Sequence, residues 1–416
     1  MAQTIPILIW TISIGSIALM LVRPRGIAEA YWVCGGAALL LATRLISLTN
    51  AGHAVREGLD VYLFLAGMMI LAEVAREEGV FDWLAHLAAD HADASPLRLF
   101  RLVYFVGIVV TALLSNDATA VVLTPAVLAV VRRARVPAGP HLFACALVAN
   151  AASFVFPISN PANLVVFGRQ LPVLSAWLKI FTLPSAAAIV VTYFCLRGIF
   201  RRELRGTAEG PGERVALSRG GRITLGGLLA AAAGLLVCSA VGIPLGAPTC
   251  VAAALVLAAV TCTNRAMPLR VARGVSWSIL PLVAGLFVIV GALQTAGLET
   301  LGASAIRLVT GGWAWAGKAG VAILVALLSN VMNNLPVGLM SGAAIQSVGG
   351  SSLLGHAVLV GVDLGPNLSI TGSLATILWL IALRREGVEI SARQFLKVGA
   401  VAMPVALLAS LLALWK

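Results

Sequence analysis

The sequence predicts an all-α polytopic membrane protein of about ten transmembrane helices plus two re-entrant hairpins, built as two inverted-topology repeats with discontinuous helices. Three observations predict it. Of the 416 residues, 60% are apolar and only 11% charged, whereas a soluble globular chain carries about a quarter charged residues. Apolar runs of roughly 17 to 25 residues recur from end to end, each long enough to cross a hydrocarbon core as a helix. A polar interruption, LLSNDATAVVLTP at 113–125, returns as LLSNVMNNLPVGL at 327–339. Breaks at matching places in two halves mark discontinuous helices around a midplane binding site.

The first apolar run, 5–22, has no basic residue ahead of it and no small-residue cleavage site behind it, so it is expected to stay as a span. Helices are expected next over 27–48 and 59–75, with an amphipathic stretch over 80–94. Then come a block at 99–131 interrupted by SND, a block at 141–168 interrupted at FPISNPAN, and a helix over 172–196. After a hydrophilic loop the order repeats: 222–242, 245–263, 277–295, an amphipathic piece at 300–311, a block at 317–346 interrupted by SNVMNN, a block at 353–383 interrupted at PNLSITG, and 395–415. The chain thus divides into a first repeat (1–197), a cytoplasmic linker (198–221) and a second repeat (222–416). The arms flanking SND are expected to run about 14 residues, roughly 20 Å of helix, too short for either to cross alone.

Charge sets the orientation. Arg98 and Arg101 precede the first arm, and Arg132, Arg133 and Arg135 follow the second. Positive charge favours the cytoplasm, so both ends lie on one side and SND is the tip of a re-entrant hairpin. Five crossings and a hairpin make an odd number per half, which inverts the second half. With the N-terminus outside, 22 of the 29 basic residues fall at cytoplasmic ends, leaving Arg44, Arg56, Arg169, Lys179, Arg307, Lys318 and Lys416 outside. Both termini are therefore expected to be extracytoplasmic. The net charge of +12 is an orientation signal, not a nucleic-acid surface.

Several function classes are disfavoured. The longest hydrophilic stretch, 197–222, is too short to build a soluble core. Six scattered cysteines and five histidines show no metal spacing, so no metal is expected. No Walker loop, dinucleotide fingerprint or nucleophile elbow is present, so the chain is expected to be no enzyme, to use no cofactor and not to hydrolyse ATP itself. Two intramembrane acids could suggest an aspartyl protease, but Asp363 lies in GVD followed by Leu, not in GxGD.

A few polar residues stand out against this apolar background. Asp117 is the strongest signal, because a carboxylate near the bilayer centre costs several kcal/mol unless solvated, paired or protonated, and such acids mark ion or proton pathways. Ser115, Asn116, Thr119 and Thr124 beside it either bind solute or satisfy backbone groups freed at a broken helix. Asp363, in VGVDLGPNLSITGS, opens a segment that Gly365, Pro366 and Gly372 unwind, flanked by Asn367, Ser369, Thr371 and Ser373. It is a second proton-coupling candidate or a helix cap. Its first-half counterpart, FPISNPAN, offers Ser159, Asn160 and Asn163 but no acid. Asn330, Asn333 and Asn334 at the second tip are neutral donors and acceptors, suited to hydroxyl or carbonyl groups or to satisfying the tip itself. Glu73 beside Arg76 reads as a snorkelling pair. Neither tip carries the arginine or lysine that an anionic substrate would invite.

LLSNDATAVVLTP, LLSNVMNNLP and above all VGVDLGPNLSITGSLATILWL, followed by a basic turn and GVEISARQFLKVG, resemble the arsenite efflux permease family of the ion transporter superfamily over nearly the whole chain. SND alone is shared in kind with sodium/proton antiporters and dicarboxylate carriers. The resemblance implies scaffold and transport subdomains and export of arsenite or antimonite across a prokaryotic inner membrane in exchange for protons. In some members it also implies a soluble ATPase subunit as partner. It carries onto Ser115, Asn116 and Asp117, onto Asn330, Asn333 and Asn334, and onto Asp363, Asn367, Ser369 and Thr371. Asn367 departs from the lysine expected after Pro366 in many members. Arsenous acid is a neutral trihydroxide at neutral pH, which Asn, Ser and Thr suit, and the sequence supplies no three clustered thiols. The expectation is a proton-coupled arsenite exporter with Asp117 and Asp363 coupling protons. Ser115, Asn116, Asn160, Asn163, Asn330, Asn333, Asn334, Asn367, Ser369 and Thr371 are expected to bind substrate. The alternative is a sodium/proton antiporter on the same scaffold.

Overall fold

The computed structural model describes residues 4–209, 216–310, 314–347 and 352–415, and the described residues form helices and turns without strands. The first half contains α1 (Thr4–Val22), α2 (Glu29–Ala42), α3 (Leu48–Glu57), α4 (Leu59–Glu77), α5 (Val80–Asp90) and α6 (Pro96–Leu113). After a π-helical segment (Ala118–Leu123) come α7 (Thr124–Arg133), α8 (Ala138–Ala151), a 3-10 turn (Pro157–Ser159), α9 (Pro161–Phe167) and α10 (Leu174–Ile199). The second half repeats the order: α11 (Arg219–Ala240), α12 (Gly246–Thr261), α13 (Met267–Gly274), α14 (Ile279–Thr295), α15 (Leu298–Thr310), α16 (Ala314–Met332) and α17 (Asn334–Ser347). It closes with α18 (Ser352–Leu364), two 3-10 turns (Gly365–Asn367 and Ile370–Gly372), α19 (Leu374–Arg385) and α20 (Ala392–Leu414). Serines start five of these helices by accepting a backbone N–H three residues on: Ser47, Ser95, Ser218, Ser373 and Ser391. Each satisfies one of the donors that a helix start leaves unpaired.

The packing is reciprocal between the halves. Helix α4 packs on α12 while α14 packs on α2; α6 packs on α8 as α16 does on α18; α10 and α20 pack on each other. Apolar side chains gain little by leaving lipid, so close van der Waals fit drives such packing and small residues sit at the contacts. Gly67 of α4 lies so close to α12 that a Cβ would stand 2.7 Å from the Thr249 carbonyl carbon, and one on Gly285 of α14 would meet the Val33 side chain of α2 at 2.9 Å. Helices α10 and α20 each carry an internal proline, Pro184 and Pro404, and the Ser410 hydroxyl donates to the Pro184 carbonyl at 2.9 Å.

Among the described residues five helices are individually long and apolar enough to cross a membrane: α1, α6, α10, α11 and α20. Two bent pairs, α3 with α4 (48°) and α13 with α14 (42°), are apolar enough together to form a broken span or a re-entrant loop each. These pairs differ from expectation, since the sequence predicts connections where α3 and α13 stand. LTNAGHAVRE and MPLRVARG are too polar to read as membrane segments, yet each is amphipathic enough to lie along one and turn into the apolar helix that follows. The arms of the first hairpin are also longer than the roughly 14 residues expected, and α6 is by itself long enough to cross a membrane. Helix α6 runs 18 residues because Ser95 caps it and Pro96 fits its first turn, whereas the return arm is a six-residue π segment followed by ten residues of α7. Part of the linker, 210–215, lies outside the described residues, as do the tail of the expected 300–311 piece and residues 348–351 and 416. The linker's start is pinned to the first hairpin: Ala208 N–H donates to Ala94 O, Glu209 N–H to Ala134 O, and Arg135 pairs with Glu209 at 2.5 Å.

Candidate functional site

At the first tip the chain leaves α6 through Leu114 (φ −114°, ψ −87°). The Ser115 hydroxyl accepts the Ala118 N–H at 3.2 Å, and the Asn116 side-chain oxygen accepts the Asp117 N–H at 3.0 Å. Both polar side chains are thus engaged in restarting the helix. The restart is π-helical, with a wider turn that frequently accompanies functional sites. The Thr124 hydroxyl donates to the Thr119 carbonyl at 3.2 Å, and Thr119 shares a buried hydrogen bond of 2.8 Å with Thr111. Asp117 is half-buried, and among the described residues its carboxylate makes no hydrogen bond or ion pair.

The second tip is clasped instead. Asn333 makes the turn at φ +72°, a left-handed conformation that Asn tolerates better than most residues, and its side-chain oxygen accepts the Leu335 N–H at 3.3 Å. The Asn330 amide donates to the Ala326 carbonyl (2.7 Å) and the Gly365 carbonyl (2.9 Å), while its oxygen accepts the Ser369 hydroxyl (2.7 Å). Thr371 donates to the Asn330 carbonyl at 2.8 Å. Asn334 starts α17 buried, with its side-chain amide making no hydrogen bond among the described residues.

Between the tips the two broken helices meet. Matching the helix starts at the breaks, Asn160 before α9 and Ser373 before α19, aligns Asn150 with Asp363. Both residues bridge the halves. The Asn150 amide donates to the Asn367 side-chain oxygen at 2.9 Å, and the Asn160 amide to the Asp363 Oδ1 at 2.9 Å. The Asn367 amide donates onward to the Leu147 carbonyl at 3.1 Å. Asp363 is fully buried, and its Oδ2, like Asn150 Oδ1, has no partner among the described residues.

Comparison with known proteins assigns this arrangement. The citrate transporter family (CitMHS) matches residues 9–362. The chain belongs to that family. It is 26% identical over 402 residues to the arsenical pump membrane protein of Escherichia coli K12, covering 92% of each chain, and 26% identical over 392 residues to that of Yersinia enterocolitica, covering 91% of each. It is 28% identical over 397 residues to an uncharacterized transporter of Mycobacterium tuberculosis, covering 91% of each. Among solved structures, the YdaH transporter of Alcanivorax borkumensis aligns with a TM-score of 0.60 at 15% identity, over 88% of this chain and 86% of that one. That last likeness concerns the fold alone. Together these make the chain a multi-pass membrane transporter of an ion or small solute, and they agree with the resemblance to arsenite permeases read from its motifs.

In this member of the citrate transporter family the expected site residues divide by what they already hold. Ser115 and Asn116 cap the first tip; Asn330, Ser369 and Thr371 fasten the second tip to the α18–α19 break; Asn160 and Asn367 tie the two breaks together. The Asn163 amide is consumed by the Ser153, Phe156 and Pro157 carbonyls at 2.9 to 3.3 Å, so it shapes the first break. Asp117 and Asn334 are left free toward a solute, whereas Asn333 is held at both ends, its oxygen by the Leu335 N–H and its amide by the Thr371 carbonyl at 3.5 Å, and the Asn163 Oδ1 is buried without a partner among the described residues. Asn150 escapes a reading of the sequence because ALVANAA looks like plain apolar helix. The signal that points to it is the spacing from Asn160, ten residues, equal to that from Asp363 to Ser373.

Proposed function

We propose that the chain exports arsenite from the cytoplasm in exchange for protons by alternating access, with antimonite, a similar trihydroxide, as a second substrate. The observation that supports this most is the contrast at the two tips: at the first a carboxylate without a partner among the described residues, Asp117, and at the second amides and hydroxyls with no cation among them. A tricarboxylate such as the family's name suggests calls for arginine, lysine or open helix N-termini. Here the helix starts at the breaks are capped by Asn160 and Ser373, and that at the second tip by Asn333. A neutral trihydroxide needs only donors and acceptors. Protonation of Asp117 alternating with solute binding would favour opposite membrane faces in turn, and Asp363 is the second candidate for that proton. The charge distribution supports placement in the bacterial inner membrane with both termini outside, repeats at 1–197 and 222–416, and a cytoplasmic linker at 198–221. A soluble ATPase subunit, implied by the family resemblance, would be a separate partner, since the chain has no nucleotide motif.

The test is uptake by purified protein in liposomes given arsenite and an imposed pH gradient. Uptake that collapses with the gradient is expected; arsenite movement indifferent to the gradient, or none, overturns the reading. The sodium/proton alternative rests on the unpartnered oxygens of Asp363 and Asn150, since acceptor oxygens without donors suit a cation. Sodium-driven proton flux in the same liposomes without arsenite would favour it.

A further inference from the structure

A small cavity of about 10 Å³ lies against the second tip. One wall comes from α1, α2 and α14, including Met20, Glu29 and Leu282, and the other from Asn333, Pro336 and Leu374 of the tip and α19. Every side chain around it is apolar except Glu29 and Asn333. Glu29 stands in the first turn of α2 with its side chain 13% exposed, and its Oε1 lies 3.1 Å from the Arg23 guanidinium. Arg23 belongs to an unusual turn: Arg23, Arg25 and Gly26 have φ of 50°, 58° and 71°. Left-handed backbone at two non-glycine residues costs on the order of 1–3 kcal/mol each and persists where the surroundings fix it. The turn brings Arg23 back onto the start of α2, where the ion pair holds the carboxylate at the cavity.

In the orientation proposed above, this cavity lies on the cytoplasmic side of the second tip. The α1–α2 turn carries Arg23 and Arg25, and α19 runs from the break to Arg384 and Arg385 in its last turn. The hairpin of α16 and α17 enters from the opposite side. A solute arriving from the cytoplasm therefore meets Glu29 before it meets Asn333.

We propose that Glu29, positioned by Arg23, is a specificity-determining residue on the cytoplasmic approach to the second tip, recognising a small neutral polyhydroxy solute. This rests on the reading of that tip as a site for a neutral trihydroxide. The Glu29 carboxylate accepts a solute hydroxyl hydrogen, Arg23, which does not line the cavity, holds that carboxylate in place, and the net-neutral pair gives no advantage to an anion or a cation. With room for about one water molecule, the cavity is closed to the solute here and widens when the tip moves away from α14.

The experiment compares arsenite uptake in everted vesicles, which present the cytoplasmic face, with uptake in right-side-out vesicles. E29Q is expected to raise the half-saturating arsenite concentration roughly tenfold in everted vesicles, as expected for one charge-assisted hydrogen bond. The maximal rate and the right-side-out behaviour are expected to stay unchanged. R23K, which keeps the charge but loses the guanidinium fork, shifts the same quantity less and reads the same effect should E29Q fail to reach the membrane. Unchanged half-saturation in both variants, or an equal loss at both faces, overturns the inference. Wild-type vesicles that take up no arsenite overturn the functional reading beneath it, whereas active wild type with unaltered variants overturns this inference alone.

Discussion

The two tips share the same polar pattern and are held in opposite ways. The first is fastened mainly to itself: Ser115 and Asn116 cap their own restart, a π-helical turn follows, Asp117 is left without a partner among the described residues, and the Ser159 hydroxyl links α6 to the first break by donating to the Ala112 carbonyl at 3.0 Å. The second is fastened to its neighbour: Asn330, Ser369 and Thr371 make a connected set of bonds between α16 and the α18–α19 break. The same difference extends to the backbone. A Cβ on Gly365 would stand 2.5 Å from the Ala326 carbonyl oxygen, backbone against backbone, while one on Gly107 in α6 would meet the Val148 Cγ1, a side chain, at 2.6 Å. A tip whose carboxylate stays outside its own ties can carry a group whose bonding changes during the cycle. A tip tied to the broken helix moves with it.

The largest expected effect lies at the free carboxylate. Asp117→Asn should reduce gradient-driven arsenite uptake to that of protein-free liposomes while leaving the melting temperature in detergent unchanged, because the carboxylate has no partner to lose. A variant that still concentrates arsenite against a pH gradient would remove Asp117 from the coupling. Next come the glycines. Gly365→Ala should destabilise the protein by about 3 kcal/mol, at the upper end for overpacking, because a carbonyl cannot turn aside. Gly107→Ala should cost about 1 kcal/mol, since Val148 can change rotamer. Unfolding in graded detergent measures both, and equal costs would erase the contrast between the halves.

Much of this architecture was legible in the sequence. The repeat, the hairpins and the breaks followed from polar residues interrupting apolar runs, because a polar group at membrane depth must line a cavity or satisfy a broken backbone. What was illegible has physical causes. The helices α3 and α13 are polar enough to pass for loops, and the length of α6 depended on a serine cap. The partners of each asparagine could not be read either, because hydrogen bonding to a group about 10 or 200 residues away leaves no local trace. Asn163 looks like a substrate ligand in FPISNPAN, and its amide is taken up by three carbonyls of its own break while its Oδ1 has no partner among the described residues. Asn150 looks like nothing and reaches across to Asn367.

A smaller effect separates the clasp from the cap. Asn330→Ala removes two donated bonds and one accepted bond and should lower stability by about 2 kcal/mol, given net values near 1 kcal/mol per bond and some compensation by water. Ser115→Ala removes one cap and should cost about 1 kcal/mol. If the two match, the second tip gains nothing from its connection to the break.

The smallest effect tests the π-helical turn. Thr119 shares its hydroxyl bond with Thr111 on α6, and its carbonyl accepts Thr124. Thr119→Val keeps the shape, loses the shared bond and leaves Thr111 unpaired in a buried position, which should cost about 1 kcal/mol in the same unfolding measurement. The carbonyl bond from Thr124 survives, so the wide turn should persist and uptake should stay near wild type. Thr124→Val removes that second bond instead. If Thr124→Val slows gradient-driven uptake and Thr119→Val does not, the wide turn itself, through the placement of Asp117 just before it, sets the coupling. If neither changes uptake, the turn is only the shape the first hairpin takes as its helix restarts.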